Sequence, residues 1–202
     1  MIKPYLARES LAAFFVGISS GFPYAMIGAT LTTRLAQDGI DKRAITAFAL
    51  AFLVYNLKPL WAWVVDGVRL PLIGRFGQRV SWMVFSGLLV MAATFNLAFV
   101  DPAASLQATI VAAVLLGVAG ATYDIVIDAY RIETLQPHQL GIGAGMSQYG
   151  WRIGSAAAGA VALLVAAREG WAAVLALFAM APIALGDWLG FGVPFAWRGL
   201  AA

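Results

Sequence analysis

Of the 202 residues in this chain, 62% are hydrophobic and 11% are charged, whereas about a quarter of the residues are charged in an ordinary soluble domain. The net charge of +3 comes from scattered basic residues, which argues against nucleic-acid binding. Cysteine is absent, so disulfides and thiolate chemistry are excluded. The composition predicts an all-α integral membrane protein that is surrounded by lipids, because lipid leaves no water to satisfy an open sheet edge.

Six transmembrane helices are predicted, and they form one membrane domain over residues 1–202. A hydrocarbon core about 30 Å thick needs about 20 apolar residues to cross it. The first span continues too far beyond Lys3 and Arg8 to be a signal peptide, so we predict that it is retained. The predicted spans are Leu11 to about Thr33, Ala44–Val65, Val80–Val100, Leu106–Tyr130, Gly143–Ala166, and Trp171 to about Gly186.

The lysines and arginines between these spans predict that both termini are cytoplasmic. On that orientation, seven basic residues lie inside and four lie outside, in agreement with the positive-inside rule. The inner set is Lys3, Arg8, Arg69, Arg75, Arg79, Arg131 and Arg198, and the outer set is Arg34, Lys42, Arg43 and Arg168.

Charged residues inside the predicted spans are the main candidates for a functional site. Asp124 and Asp128 are four residues apart in the fourth span and share a helix face with Arg131. A charge at the bilayer centre costs roughly 2.5 to 3.5 kcal/mol on an insertion scale. Lys58 in the second span and Arg152 in the fifth lie at a similar depth to Asp124, roughly 9 to 14 Å from the cytoplasmic interface.

Two interpretations of these charges remain open at this point. Lys58, Asp124, Asp128 and Arg152 either form ion pairs that lock helices together, or they form a proton-coupling or substrate-binding site. In both cases we expect Asp124 to lie within salt-bridge distance of Lys58 or Arg152.

The other sequence motifs indicate helix packing and do not indicate a metal site or a catalytic site. Gly17 and Gly21 form one G-x-x-x-G pair and Gly150 and Gly154 another, which is typical of closely packed membrane helices and favours contacts within the chain over a dimer interface. The single histidine, His138, is in a predicted loop, so no metal or other cofactor is expected. No phosphate-binding loop, metalloprotease motif or catalytic triad is present, so we do not expect an enzyme.

Four segments together resemble the AmpG-type anhydromuropeptide permeases of the major facilitator superfamily. They are G-F-P-Y-A-M-I-G-A-T-L from Gly21, Y-N-L-K-P-L-W-A-W-V-V-D-G-V-R-L-P-L-I-G-R from Tyr55, Y-D-I-V-I-D-A-Y-R-I-E from Tyr123, and G-I-G-A-G-M-S-Q-Y-G-W-R-I-G from Gly141. Asp66, Gly74 and Arg75 resemble the superfamily's loop motif between the second and third helices, although Gly67 stands where that motif usually has arginine. Arg131 and Glu133, in the third segment, are secondary candidates for the site.

The resemblance implies a bacterial inner-membrane protein and the N-terminal six-helix half of a transporter that takes up muropeptide-like solutes with protons. Because a complete facilitator has two such halves around its site, we expect a partner to cover the first, second, fourth and fifth helices. The favoured hypothesis is an accessory subunit of a larger membrane complex, docked through its former cavity face. The alternatives are a half-transporter that pairs with a homodimer mate or another half, and a fragment of a longer permease.

Overall fold

The computed structural model describes residues 4–48, 52–71, 77–171 and 173–174, and the statements below refer to these residues. They form helices and loops, with no β-strand in these ranges, as the composition predicts. The α-helices are α1 (Arg8–Ala25), α2 (Leu31–Gln37), α3 (Lys42–Phe48), α4 (Leu53–Leu57), α5 (Pro59–Gly67), α6 (Gln78–Phe99), α7 (Leu106–Thr134) and α8 (Leu140–Glu169).

Four helical segments are long and apolar enough to cross a membrane. They cover Arg8–Gln37, Gln78–Phe99, Leu106–Thr134 and Pro137–Glu169, and they correspond to the first, third, fourth and fifth predicted spans. The sixth predicted span, from Trp171 to about Gly186, lies almost wholly outside the described residues. The described part of the chain therefore has the helical segments of a multi-pass membrane protein.

The second predicted span, Ala44–Val65, is divided in the structure instead of forming one helix. It comprises α3, α4 and α5, residues 49–51 lie outside the described ranges, and a turn at Lys58 separates α4 from α5. Pro59 is the first residue of α5. Because proline has no N–H to donate and its ring crowds the preceding turn, it starts a helix well but does not continue one. The break places Lys58 at a helix junction in the middle of the predicted span.

The first span changes its helical geometry partway along. α1 contains Pro23, and a π-helical turn over Met26–Thr30 connects it to α2 without an intervening loop. Proline and π-helical turns are both known causes of irregularity in long helices. The two halves of this span consequently contact different parts of the bundle.

The first half of the span packs tightly against α8 through both predicted G-x-x-x-G pairs. A methyl group added to Gly17 or Gly21 would overlap the backbone of Ser147 or Trp151, and one added to Gly150 or Gly154 would overlap the backbone of Phe14 or Ile18. Only glycine permits such close approach of two helix backbones. The predicted packing within the chain is therefore confirmed.

The second half of the span is held by a buried arginine. Arg34 is 9% exposed, and its guanidinium donates to the carbonyl oxygens of Leu97 at 3.0 Å and Val100 at 2.8 Å, at the end of α6. These carbonyls have no partner within the helix, so a cation there satisfies them and opposes the negative end of the helix dipole. At the same end of the bundle, Trp171 donates to the side chain of Gln37.

Large apolar side chains cover the outer faces of α6, α7 and α8. Exposed residues include Leu88 of α6, Leu115 of α7, and Leu163 and Leu164 of α8. Contiguous apolar surface on this scale is rare on a soluble monomer, and it suits contact with lipid chains.

Candidate functional site

A charged cluster of Lys58, Asp124, Asp128 and Arg131 lies between the α4–α5 junction and α7. The Lys58 ammonium is 2.6 Å from Oδ2 of Asp124 and 3.5 Å from Oδ2 of Asp128. Oδ1 of Asp128 is 3.0 Å from the guanidinium of Arg131, three residues later on α7. The expected ion pair between Asp124 and Lys58 is thus present, and one lysine is shared between two carboxylates.

The first helix completes the surroundings of Asp124. The Ser20 hydroxyl of α1 donates to Oδ1 of Asp124 at 2.9 Å, so the two carboxylate oxygens have partners from α1 and from the α4–α5 junction. One residue earlier on both helices, the hydroxyls of Ser19 and Tyr123 lie 3.0 Å apart, and Tyr123 is fully buried. Because a carboxylate bound by both an ammonium and a hydroxyl has little freedom to rotate, α1, α7 and the α4–α5 junction fix its position jointly.

The cluster lines a cleft of about 290 Å³ among α1, α4, α7 and α8. Six lining residues are not singled out as site candidates by the sequence patterns. They are polar or aromatic side chains from three helices: Ser20, Tyr24, Tyr55, Ser147, Gln148 and Trp151. Five of them, all except Ser20, lie in the segments that carry the family resemblance, and isolated polar residues in an apolar span are a usable signal for a cavity.

Aromatic rings form the wall of the cleft around Tyr24. Its ring centroid lies 4.9 Å from that of Phe52, 5.7 Å from Tyr55 and 5.0 Å from Trp151. The Tyr55 hydroxyl is buried against Gly120 and has no hydrogen-bond partner in the described structure. The cleft therefore combines aromatic surface with charged groups, a mixture that is typical of sites for amphiphilic small molecules.

Arg152 does not join the cluster, contrary to the expectation that similar depth brings it to the other charges. It is exposed on α8 and makes no ion pair within the described ranges. Helix depth fixes the level of a residue but not the direction in which its side chain leaves the helix. Its neighbour Trp151 and Gln148, one turn earlier, line the cleft in its place.

Asp66 and Glu133 belong to a second group, here called the end cluster, with Arg79. The Arg79 guanidinium lies 2.6 Å from Oδ1 of Asp66 and 2.6 Å from Oε1 of Glu133, and so connects the end of α5, the start of α6 and the end of α7. Gly74 and Arg75, the other two residues of the predicted loop motif, lie outside the described residues. Through Arg79, Asp66 is thus connected to Glu133 of α7, a helix that lies outside the predicted loop motif.

Replacing Arg79 with glutamine is expected to destabilise the protein by about 1 to 2 kcal/mol, since two partly exposed ion pairs of roughly 0.2 to 1 kcal/mol each are lost and two carboxylates are left facing each other. Unfolding in mixed micelles with increasing denaturing detergent measures the change. Arg69→Gln is the matched control, because Arg69 is exposed and has no ion pair in the described structure. Equal effects of the two substitutions would show that the end cluster contributes nothing specific.

Comparison with known proteins gives several relatives. The chain is 36% identical over 153 residues to "Putative transporter AmpG 4" of Rickettsia conorii, covering 76% of this chain and 37% of that protein. It is 30% identical over 171 residues to "Anhydromuropeptide permease" of Escherichia coli K12, covering 84% and 34%. An uncharacterised protein of Haemophilus influenzae is 32% identical over 177 residues, covering 88% and 41%. No family model and no solved structure matches.

The relatives from Rickettsia conorii and Escherichia coli are named as a transporter and a permease and not as enzymes. The chain spans between about a third and two fifths of the length of the three relatives, and the matches cover 76% to 88% of the chain itself. Together with the four helical segments that are long and apolar enough to cross a membrane, these matches confirm a multi-pass membrane protein. The resemblance is confirmed as well: the chain is a relative of the AmpG-type anhydromuropeptide permeases, a family of the major facilitator superfamily, and corresponds to part of their length.

Proposed function

We propose that this chain forms one wall of a pathway that carries muropeptide-like solutes, with protons, across the bacterial inner membrane. The supporting observation is the charged cluster, which is held by three helical segments and lines a cleft inside predicted membrane spans. Charged groups in such a position are rare and commonly mark solute or proton pathways. The names of the relatives support the type of solute.

The sharing of Lys58 offers a simple basis for coupling to protons. Lys58 lies closer to Asp124 than to Asp128, and Arg131 holds the second carboxylate. Protonation of Asp124 would remove the nearer attraction and allow Lys58 to move to Asp128. The two arrangements then differ by one bound proton and by the carboxylate that holds Lys58, so binding of a proton would favour one conformation over the other.

The same proposal includes the architecture around the site. We propose that residues 1–202 form a single membrane domain of six spans with both termini cytoplasmic, equivalent to the N-terminal half of a facilitator fold. A facilitator binds its solute between two six-helix halves, so a second body would supply the facing wall of this cleft. That body is either a second copy of this chain or a separate half.

An accessory role in a larger membrane complex is the second candidate. It is favoured by α8, where 22% of the apolar span is buried compared with 61% of the first span, and where the exposed Arg152 lies among apolar residues. Purification in mild detergent separates the candidates. A stable complex with unrelated membrane proteins would contradict the pathway, and a symmetric dimer alone would contradict the accessory role.

Uptake of labelled anhydromuropeptide tests the pathway directly. Membrane vesicles are prepared from cells that lack their own permease and express this chain, so that any natural partner is retained. We expect uptake driven by a proton gradient, and at least a tenfold loss in Asp124→Asn, because asparagine neither takes up a proton nor holds Lys58 by charge. Glu169→Gln, an exposed carboxylate at the end of α8, is the control. Uptake equal to that of empty vesicles, or unchanged in Asp124→Asn, would contradict the proposal.

A further inference from the structure

Arg152 differs from three other cations that lie in or next to the predicted spans. Lys58 and Arg131 are paired with carboxylates, and Arg34 is bound to the carbonyl oxygens at the end of α6. Within the same ranges, Arg152 has neither an ion pair nor a side-chain hydrogen bond and is exposed. A guanidinium that is left without a partner in the membrane is unfavourable, so an anion from outside the described residues is expected to meet it.

The position of Arg152 along α8 limits what that anion is. It follows the start of the helix at Leu140 by 12 residues and precedes the end at Glu169 by 17 residues, which correspond to about 18 Å and 26 Å. Neither end of the helix is close. A group that enters along the cleft comes close to Arg152, because Trp151 and Gln148, its neighbours in sequence and on the helix face, line that cleft.

The balance of charges that line the cleft also supports an incoming anion. Among the described lining residues, the cations Lys58 and Arg131 are balanced by the anions Asp124 and Asp128, and these four are already bound to each other. Arg152, which follows the lining residue Trp151 on α8, adds one positive charge outside this balanced group. An incoming anion can therefore bind Arg152 without breaking the internal pairs.

We propose that Arg152 binds a carboxylate of the transported solute. This inference rests on the proposed function and names the feature of the solute that this wall recognises. Arginine suits the task because its planar guanidinium binds a carboxylate through two parallel hydrogen bonds and keeps its charge in a poorly hydrated site. The nearby Gln148 amide and Trp151 ring contact uncharged parts of the same molecule.

Equilibrium binding to membrane vesicles that contain this chain and retain any natural partner tests this assignment with two probes, an anhydromuropeptide with free carboxylates and the same compound with its carboxylates amidated. We expect the native chain to bind the free acid at least tenfold more tightly. Arg152→Gln loses this preference through weaker binding of the free acid alone, whereas Arg152→Lys keeps part of it. Arg168→Gln makes the same change of charge on the exposed end of α8 and keeps the full preference.

Three outcomes contradict the inference. If Arg152→Gln binds both probes as the native chain does, the solute does not meet this residue. If it binds both more weakly by the same factor, or melts at a lower temperature with its preference intact, the partner of Arg152 is a protein carboxylate or a lipid phosphate. If the native chain binds neither probe, the proposed function itself fails, and this inference fails with it.

Discussion

Lys58→Met is expected to abolish uptake and to destabilise the fold by roughly 1 to 3 kcal/mol, the largest effect of any single change in the charged cluster. The reason is that Lys58 is the cation shared by Asp124 and Asp128. Without it, two carboxylates one helical turn apart face each other with Arg131 alone as a counter-ion. Breaking a fully buried pair costs about 3 to 5 kcal/mol. The Lys58 and Asp124 side chains are 32% and 24% exposed, so solvent in the cleft reduces the penalty.

A double-mutant cycle with Asp124→Asn measures the coupling. We expect the double variant to be more stable than Lys58→Met alone, because it has one fewer unpaired carboxylate. Asp128→Asn should have a smaller effect than either single change, since Lys58 then keeps its nearer partner. Strictly additive losses in the cycle would show that Lys58 and Asp124 do not interact in the folded protein.

Replacing both Gly150 and Gly154 with alanine is expected to destabilise the protein by about 3 kcal/mol or more and to separate α1 from α8. Each new methyl group would overlap backbone atoms of Phe14 or Ile18. Over-packing usually costs about 1 to 3 kcal/mol where side chains can adjust. Here the obstacle is backbone, so the helices themselves must move apart, and the cleft between them must change shape.

The same helix provides the control for this prediction. A methyl group at Gly159 meets no atom of a neighbouring helix within 4 Å, so Gly159→Ala should not lower the stability, and the higher helix propensity of alanine favours a small gain. Unfolding in mixed micelles compares the variants, and solute binding to the folded fraction reports on the cleft. A double variant as stable as Gly159→Ala would contradict the close contact of the two helices.

The apolar periodicity and the charges predict most of the described fold. The fourth span, expected at Leu106–Tyr130, is Leu106–Thr134 in the structure, and the two glycine pairs meet each other as predicted. The division of the second span at Pro59 is less predictable. A proline in a membrane helix is often accommodated, because neighbouring groups satisfy the freed carbonyl, and the local sequence does not reveal what the neighbours supply.

The site is predicted in part. The pairing of Asp124 with Lys58 follows from the high energy of isolated charges in lipid, which leaves few arrangements for groups at one depth. The absence of Arg152 from the charged cluster cannot be predicted from depth. A rotation of α8 about its axis changes the direction of its side chains and leaves their depth in the membrane unchanged. The orientation of α8 is set by its glycines against α1, and this contact turns Ser147 and Trp151 toward the cleft.

The π-helical turn in the first span changes the helix face on which every later residue lies. A π-helical turn contains one more residue than the corresponding α-helical path, so every later side chain is rotated by about 100° from the direction that α-helical counting gives. Gly17 and Gly21 face α8 before the turn, and Arg34 reaches the end of α6 after it. One inserted residue thus sets the rotation between the half of this helix that lines the cleft and the half that is anchored to α6. A deletion of one residue within Met26–Thr30 would point Arg34 away from α6 while leaving the glycine contact in place.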